Sequence, residues 1–284
     1  MKLLYLTLLF SLFFLNSSSQ IYSGQVINAE SGQAIPFANM GISGKNVGTA
    51  SDEVGLFKIE LDSKFDNDTF SISSIGYASK SYLISDFKAS MGNPDQVRIE
   101  LLPKTYQLAE VIIKPGKTKI YTLGNYCDPN SAYGNAFYSK QLGTEIGVII
   151  KLPGRKNKAY LQSARFYVGE FTCEKFPVRL NIYKLKNGRP YENILTVPIF
   201  IEIKSAGEYV IDLKPYGIVV YENFFISLEY FRIADGKEGK LVFCATHQPG
   251  LKQGNGFYRI TSQGNWEPDI SDNLGLSVQA GCEK

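Results

Sequence analysis

Apolar and polar residues alternate in short runs along most of the chain. Phe57, Ile59 and Leu61 alternate with Leu56, Lys58 and Glu60, and Phe70 and Ile72 alternate with Ser71 and Ser73. A period of two belongs to a strand with one buried face and one wetter face. The turn residues 51–55 introduce the first run, with an early Asp52 and a closing Gly55. Asp in a turn can accept a hydrogen bond from its own backbone two residues on, and Gly takes positive φ without strain. The polar stretch 62–68 then separates the two strands, so residues 47–77 read as a hairpin about which the first third of the chain is organised.

The same reading extends both ways. Residues 21–27 and 35–42 form earlier strands, the second started by Pro36, because Pro suits a strand beginning or an edge. Residues 80–84 form another, followed by a polar loop to Pro94 and a strand in which Val97, Ile99 and Leu101 share a face. An apolar run at 108–113 precedes Lys114-Pro115-Gly116-Lys117, which reads as a linker. Beyond it Ile146, Val148, Ile150 and Leu152 share one face. Further strands fall at 165–168, 178–183, 199–203, 209–213, 218–220, 224–231, 241–245, 257–260 and 274–278. In the strand at 224–231, Ile226, Leu228 and Tyr230 alternate with Ser227 and Glu229. No run keeps a helical period over three turns. Strands at this spacing, with turn clusters such as Asn187-Gly188 between them, predict a sandwich or jelly roll.

Composition agrees with an all-β chain that buries a real core. Of 284 residues 13% are aromatic and 26 are Gly. The formal charge of +3 is spread without a basic block, which points away from nucleic acid. The first 19 residues change the picture most. Lys2, an apolar run over 3–15 and the small residues Ser17-Ser18-Ser19 have the form of a secretory signal peptide cut before Gln20. That run is short for a membrane-spanning helix, so no transmembrane segment is expected after cleavage. In an exported chain the four cysteines Cys127, Cys173, Cys244 and Cys282 permit two disulfides in three connectivities. Cys127 with Cys282, stapling the ends of the second domain, is the pairing expected. The spacings contain no C-x-x-C, which argues against zinc.

Four motifs carry a resemblance. They are G-x-V-x-x-x-x-S-G-x-x-I-P-F-A-N from Gly24, V-G-T-x-S-D-x-x-G-x-F from Val47, S-x-I-G-Y from Ser73 and L-x-E-V-I-I from Leu108. In this order they resemble the carboxypeptidase-regulatory-like domain, a transthyretin-like Greek-key sandwich. The same module commonly precedes TonB-dependent receptors in Bacteroidetes-type bacteria. The resemblance implies a fold and an envelope setting, and it implies no reaction, because the motifs are turns and core strands. A zinc carboxypeptidase needs His and Glu ligands, and this chain has one His, His247. The residues after the linker are too few for a receptor barrel. The expected layout is a signal peptide at 1–19, the carboxypeptidase-regulatory-like sandwich at 20–114 and a jelly-roll-like sandwich at 115–284.

Candidate chemistry is sparse. His247 stands at a strand end as a conceivable general base, but no G-x-S-x-G supplies a nucleophile. Acidic pairs of the glycosidase kind cannot be read from sequence. Asp269, Asp272 and Asn273 cluster near the C-terminus and read first as turn residues, with structural calcium as the sharper alternative. Asp52, Glu53, Asp66 and Asp68 lack the register of an EF-hand. Trp266, with Tyr258 and Tyr133, could stack on sugar rings. The plainer reading of Trp266 is a plug at the end of the core. The chain is therefore expected to be an exported, non-enzymatic binding or structural protein without cofactor, in the periplasm or at the outer membrane or cell surface. Its expected partner is an envelope protein or a glycan. The alternative is a hydrolase of envelope or dietary glycans or esters with its site in the second sandwich. A small outer-membrane barrel is a third reading, disfavoured by the polar end 281–284.

Overall fold

The computed structural model describes residues 19–104, 118–128, 133–138, 142–154, 158–232, 239–247, 255–269 and 272–283. The expected signal peptide, but for Ser19, and the expected linker lie outside them. The N-terminal part has seven strands: β1 (Ser19–Asn28), β2 (Asn39–Ile42), β3 (Gly48–Ala50), β4 (Leu56–Asp62), β5 (Thr69–Ser73), β6 (Lys80–Leu83) and β7 (Val97–Leu101). They form two sheets, β4-β1-β7 and β3-β2-β5-β6. The sheets enclose a core that includes Val26, Met40, Ile59, Phe70 and Ile99.

Residues 47–77 differ from the hairpin reading. β4 pairs with β1 and β5 pairs with β2, so the two strands belong to opposite sheets. A short 3-10 turn, Ser63–Phe65, carries the chain across; Asp62 caps it by accepting from Lys64 N. Period-two alternation shows that a strand has a buried face but not which sheet it joins. The turn at 51–55 forms as its residues require. Asp52 Oδ1 accepts from Val54 N at 2.9 Å and Leu56 N at 2.8 Å, and Gly55 has φ +75°. The expected loop after β6 contains one helix, α1 (Ile84–Ser90). Ile84 and Phe87, three apart and so on one face, are buried. Phe87 packs against Tyr22 and Phe70 at ring distances of 5.3 and 4.9 Å.

The C-terminal part contains, in order, β8 (Thr118–Gly124), β9 (Gly134–Tyr138), β10 (Glu145–Ile150), β11 (Ala159–Phe171), β12 (Phe176–Lys186), β13 (Arg189–Asn193), β14 (Ile199–Ile203) and β15 (Gly207–Asp212). It continues with β16 (Val219–Val220), β17 (Phe224–Tyr230), β18 (Lys240–His247), β19 (Gly256–Arg259), β20 (Glu267–Asp269), β21 (Asp272–Leu274) and β22 (Leu276–Glu283). One sheet runs β13-β12-β17-β10-β19-β20, with β14 also on β12. The other runs β21-β18-β11-β22-β8, with β15 and β16 on β11 and β9 on β18. Ile146, Val148 and Ile150 from the first sheet and Ala164, Phe166 and Val278 from the second share one core. The chain is thus nearly all β, two sandwiches in succession.

The cysteine pairing departs from expectation. Cys127 is bonded to Cys244, with Cα atoms 6.0 Å apart, while Cys282 is buried and free and Cys173 is half-buried and free. Register gives the reason. β8 lies antiparallel to β22, with Gly124 opposite Ser277 and Lys119 opposite Cys282. The chain beyond Gly124 therefore leaves past Gly275, at the far end of β22 from Cys282. That end is about 20 Å away at roughly 3.3 Å per residue, far beyond disulfide reach. Cys127 instead meets β18, whose Cys244 carbonyl accepts from Gly275 N at 2.9 Å. The bond closes a loop with a sequence separation of 117. Cys244→Ser should lower unfolding stability by about 2–5 kcal/mol, read from urea denaturation, while Cys282→Ser should leave the disulfide intact in a non-reducing peptide map.

Candidate functional site

An antiparallel sheet normally keeps one face in water. The central strands of β12-β17-β10-β19 do not. Arg179, Asn181 and Tyr183 alternate with core residues on β12, and Phe225, Ser227 and Glu229 do so on β17; all six are buried. Register lines two of these up with Glu145 of β10 and Arg259 of β19: Arg179 stands opposite Glu229, Glu229 opposite Glu145, and Glu145 opposite Arg259. A cation, two anions and a second cation thus cross four strands side by side. Like charges facing across a strand pair destabilise it and opposite charges help it, so each Glu depends on its flanking Arg.

Both carboxylates have no exposure and are well supplied with donors. Glu145 Oε1 accepts from Ser227 Oγ at 2.5 Å, Asn181 Nδ2 at 2.9 Å and Tyr183 OH at 3.0 Å. Its Oε2 accepts from Arg259 Nε at 2.9 Å and from Arg259 Nη2. Glu229 Oε2 accepts from Arg179 Nε at 3.0 Å, Arg179 Nη2 at 2.9 Å and Asn181 Nδ2 at 2.7 Å. Its Oε1 takes a donor from the other domain, Asn39 Nδ2 at 2.7 Å. An ionised carboxylate offers about four lone-pair positions, so both groups are saturated. Burial, with the charge of Glu229, pushes the Glu145 carboxyl up against the pull of Arg259. For Glu229 the burial penalty is outweighed by Arg179, Arg259 and the hydrogen bonds, and its carboxyl lies below the usual value. Burial and the nearby Glu145 charge raise Tyr183, which stays protonated and donates.

The N-terminal sandwich is the cover. Arg179 Nη2 donates to Asn39 Oδ1 at 2.9 Å and Nη1 to Phe37 O at 3.0 Å. Phe37, at φ +55°, inserts beside Phe231 and Phe200 with ring centroids 4.8 and 5.4 Å away. On the other flank residues 261–266 dock on β2 and β3. A Cβ on Gly41 or Gly48 would stand 2.5 or 2.4 Å from Ser262 O, so only glycine admits this approach. Gly44 N donates to Gln263 O at 2.9 Å, Asn265 Nδ2 to Gly44 O at 3.0 Å and Gln263 Nε2 to Ser73 Oγ at 2.8 Å.

Trp266 completes the cover. It is half-buried on the outer face of the sheet rather than at the end of the core. Its ring meets Phe225 at 5.0 Å and Tyr183 at 5.7 Å, both edge-on, and the Arg259 guanidinium lies 4.7 Å from its centroid. Tyr258, 38% exposed, is on β19 and pairs with Glu267, next to Trp266. Tyr133, 46% exposed, precedes β9 in the opposite sheet. Tyr258 stands opposite the core residue Ile146, so it lies on the other face of the sheet from Arg259 and Trp266, and the register gathers neither tyrosine with Trp266. His247 ends β18, its backbone opposite Asp272. The residues that sequence reasoning missed are Arg179, Asn181, Tyr183, Glu145, Glu229 and Arg259. A signal existed: Phe224-Phe225 puts large apolar residues on both faces of a strand, which marks a sheet covered on both sides.

Two adjoining clefts open along one flank of the seam. One of about 660 Å³ lies between the domains, lined by Ser73, Tyr77, Lys104, Asn181, Tyr191 and Asn193 among others. The second, about 520 Å³, continues along the sandwich past Thr196, Tyr216 and Tyr221. They share Lys104, Tyr183, Glu192, Asn193 and Leu195. Glu192 stands at the junction, bonded to Lys184 Nζ at 2.9 Å and to Lys104 Nζ of the N-terminal part at 3.4 Å. These bonds hold its carboxyl below the usual value. Tyr191 and Tyr221 are each 64% exposed. Among the described residues no group of three or more His, Cys, Asp or Glu is arranged to hold a metal ion.

Glu229→Ala strands Arg179 in the interior and should destabilise the protein by about 3–5 kcal/mol. Glu53→Ala, which removes the more exposed pair with Arg232, should cost at most about 1 kcal/mol. Urea unfolding of both variants compares the two. A depressed folded-state carboxyl contributes stability that is full above the unfolded value of 4.5 and lost as pH falls through the lower folded value. Below pH 4.5 the wild type should therefore lose melting temperature more steeply than Glu229→Gln.

Comparison with known proteins bears on the N-terminal part. Residues 22–113 match the CarboxypepD_reg-like domain. No curated protein matches the chain. Among solved structures, the cysteine protease and lectin-like domains of Cwp84, a surface layer associated protein of Clostridium difficile, align at 10% identity with a TM-score of 0.38. The alignment covers 86% of this chain and 58% of that one. A structure of infectious bursal disease virus, Gx strain, aligns at 8% identity and a TM-score of 0.23, covering 94% of this chain and 63% of that one. Neither overlap is deep enough to bear on fold or function. The family is shown for the first sandwich alone: the protein carries an N-terminal CarboxypepD_reg-like domain.

Proposed function

We propose that this protein is an exported, non-enzymatic binding and structural component of a bacterial cell envelope. The single observation behind the reading is the saturation of Glu145 and Glu229. The two carboxylates best placed for acid–base work accept hydrogen bonds from Ser227, Asn181, Tyr183, Arg259, Arg179 and Asn39, and neither reaches solvent. A general acid or base needs reach to a substrate proton, and these groups face only protein donors. Glu229, with its partner Arg179, fixes one sandwich on the other through Asn39 and Phe37. The N-terminal domain then serves as a docked cover rather than a freely moving spacer, and the seam clefts between Tyr77, Tyr191 and Tyr221 receive the ligand. Clefts of several hundred Å³ with a few convergent polar groups are the usual form of such sites. The leader-like first 19 residues and the likeness of the first domain to a module found ahead of TonB-dependent receptors in Bacteroidetes-type bacteria support the envelope setting. No helix among the described residues is long and apolar enough to cross a membrane.

One observation favours the hydrolase alternative: adjacent carboxylates whose values are pushed apart in opposite directions, a pattern of acid/base pairs. A single comparison separates the readings. The full chain and its Tyr191→Ala/Tyr221→Ala variant are presented to envelope extracts and to a glycan array, and both are assayed for turnover of ester and glycan substrates. Retention of a partner or glycan by the full chain, reduced about tenfold or more in the variant and without turnover, is the expected result. Turnover that disappears in Glu145→Gln would establish the hydrolase instead.

A further inference from the structure

Asp269 of β20 and Asn273 of β21 meet at Gly256 of β19, and Asn135 of β9 bonds to Asp269. Asp269 is 7% exposed and Asn273 4%. A Cβ on Gly256 would stand 3.0 Å from Asn273 Oδ1 and 3.1 Å from Asp269 Cβ, so both side chains occupy the space that this glycine leaves. Asn135 Nδ2 donates to Asp269 Oδ2 at 3.2 Å, which holds that amide against the carboxylate. Asp272 N donates to Asp269 Oδ1 at 3.2 Å.

Within this group two acceptors lack donors. Asn135 Oδ1 and Asn273 Oδ1 are both buried and without a hydrogen-bond partner. Buried polar atoms are satisfied in the great majority of cases, and each exception calls for an explanation. Here both exceptions are oxygens, on two residues gathered around Asp269 where three strands converge. Turning the Asn135 amide over would remove its donor from Asp269, so an amide flip does not resolve that oxygen.

We propose that this corner of the second sandwich binds a calcium ion through Asp269, Asn273 Oδ1 and Asn135 Oδ1. Oxygen donors of mixed carboxylate and amide type suit a hard divalent cation. An irregular set drawn from three strands suits the flexible coordination of calcium better than the near-octahedral demand of magnesium. Backbone carbonyls and water would complete the shell. The site supplies no thiolate or imidazole, which sets it apart from a zinc centre. It stands independently of the ligand proposed for the seam.

The test is calorimetric titration of CaCl2 and MgCl2 into the EDTA-treated full chain, with thermal melting in parallel. One calcium should bind in the range of extracellular modules, about 10⁻⁴–10⁻³ M. At ten times the dissociation constant it should raise the melting temperature by roughly 3–6 °C. Asn273→Ala and Asn135→Ala should each weaken calcium binding by about tenfold or more. Asn135 is only half-buried, so its variant serves if Asn273→Ala fails to fold. No heat and no melting shift up to about 10 mM calcium would assign the two oxygens to a bound water and overturn the proposal. Equal affinity for magnesium, or unchanged calcium affinity in Asn135→Ala, would overturn it as well.

Discussion

The structure depends on burying two carboxylates side by side. Glu145 and Glu229 face one another on adjacent strands of a low-dielectric interior, where like charges repel and each has lost its water. Arg259 and Arg179 neutralise them from the flanking strands, and Asn181 donates to both from above. The second sandwich supplies all of this except the donor to Glu229 Oε1 and the acceptors for the remaining Arg179 hydrogens. Those come from Asn39 and Phe37 of the first sandwich. The polar requirement of one sheet is therefore completed by the other domain, and the interface acquires direction as well as area.

That requirement explains why the two domains share one arrangement. A seam held by exposed pairs such as Lys104 with Glu192 would be weak and tolerant of sliding, since such pairs contribute little. A buried array is intolerant of sliding, because any shift leaves a charge without its donors. The glycines under Ser262 and the ring of Phe37, edge-on to the stacked Phe200 and Phe231, add steric register to the electrostatic one. The clefts along the seam inherit this rigidity, so Tyr191 and Tyr221 are held at fixed places around one continuous opening.

Much of the fold was legible in the alternation of side chains. Ile146, Val148 and Ile150, and likewise Ile226, Leu228 and Tyr230, are buried where period two puts them. The turn at 51–55 forms from Asp52 and Gly55 as their chemistry requires. The assignment of strands to sheets was not legible: β4 and β5 look like a hairpin because nothing local distinguishes a turn from a crossover. The seam was also hidden. In sequence Glu229 merely alternates with apolar neighbours, and only the register across four strands sets it beside Arg179 and Glu145. The disulfide failed for the same reason, since Cys127 and Cys282 lie near the two ends of the domain in sequence but at opposite ends of β22 in space.

The loop at 261–266 has a consequence for biosynthesis. Its Asn265 and Gln263 reach Gly44 and Ser73 across sequence separations of 221 and 190 residues. A chain emerging from its amino end presents β2 and β3, with their bare glycines, long before the segment that covers them exists. The first sandwich must therefore wait with this surface open while most of the protein is still being made. Contacts of such separation close slowly, and apolar surface exposed in the meantime invites misassociation. A segment made late thus seals a surface made early.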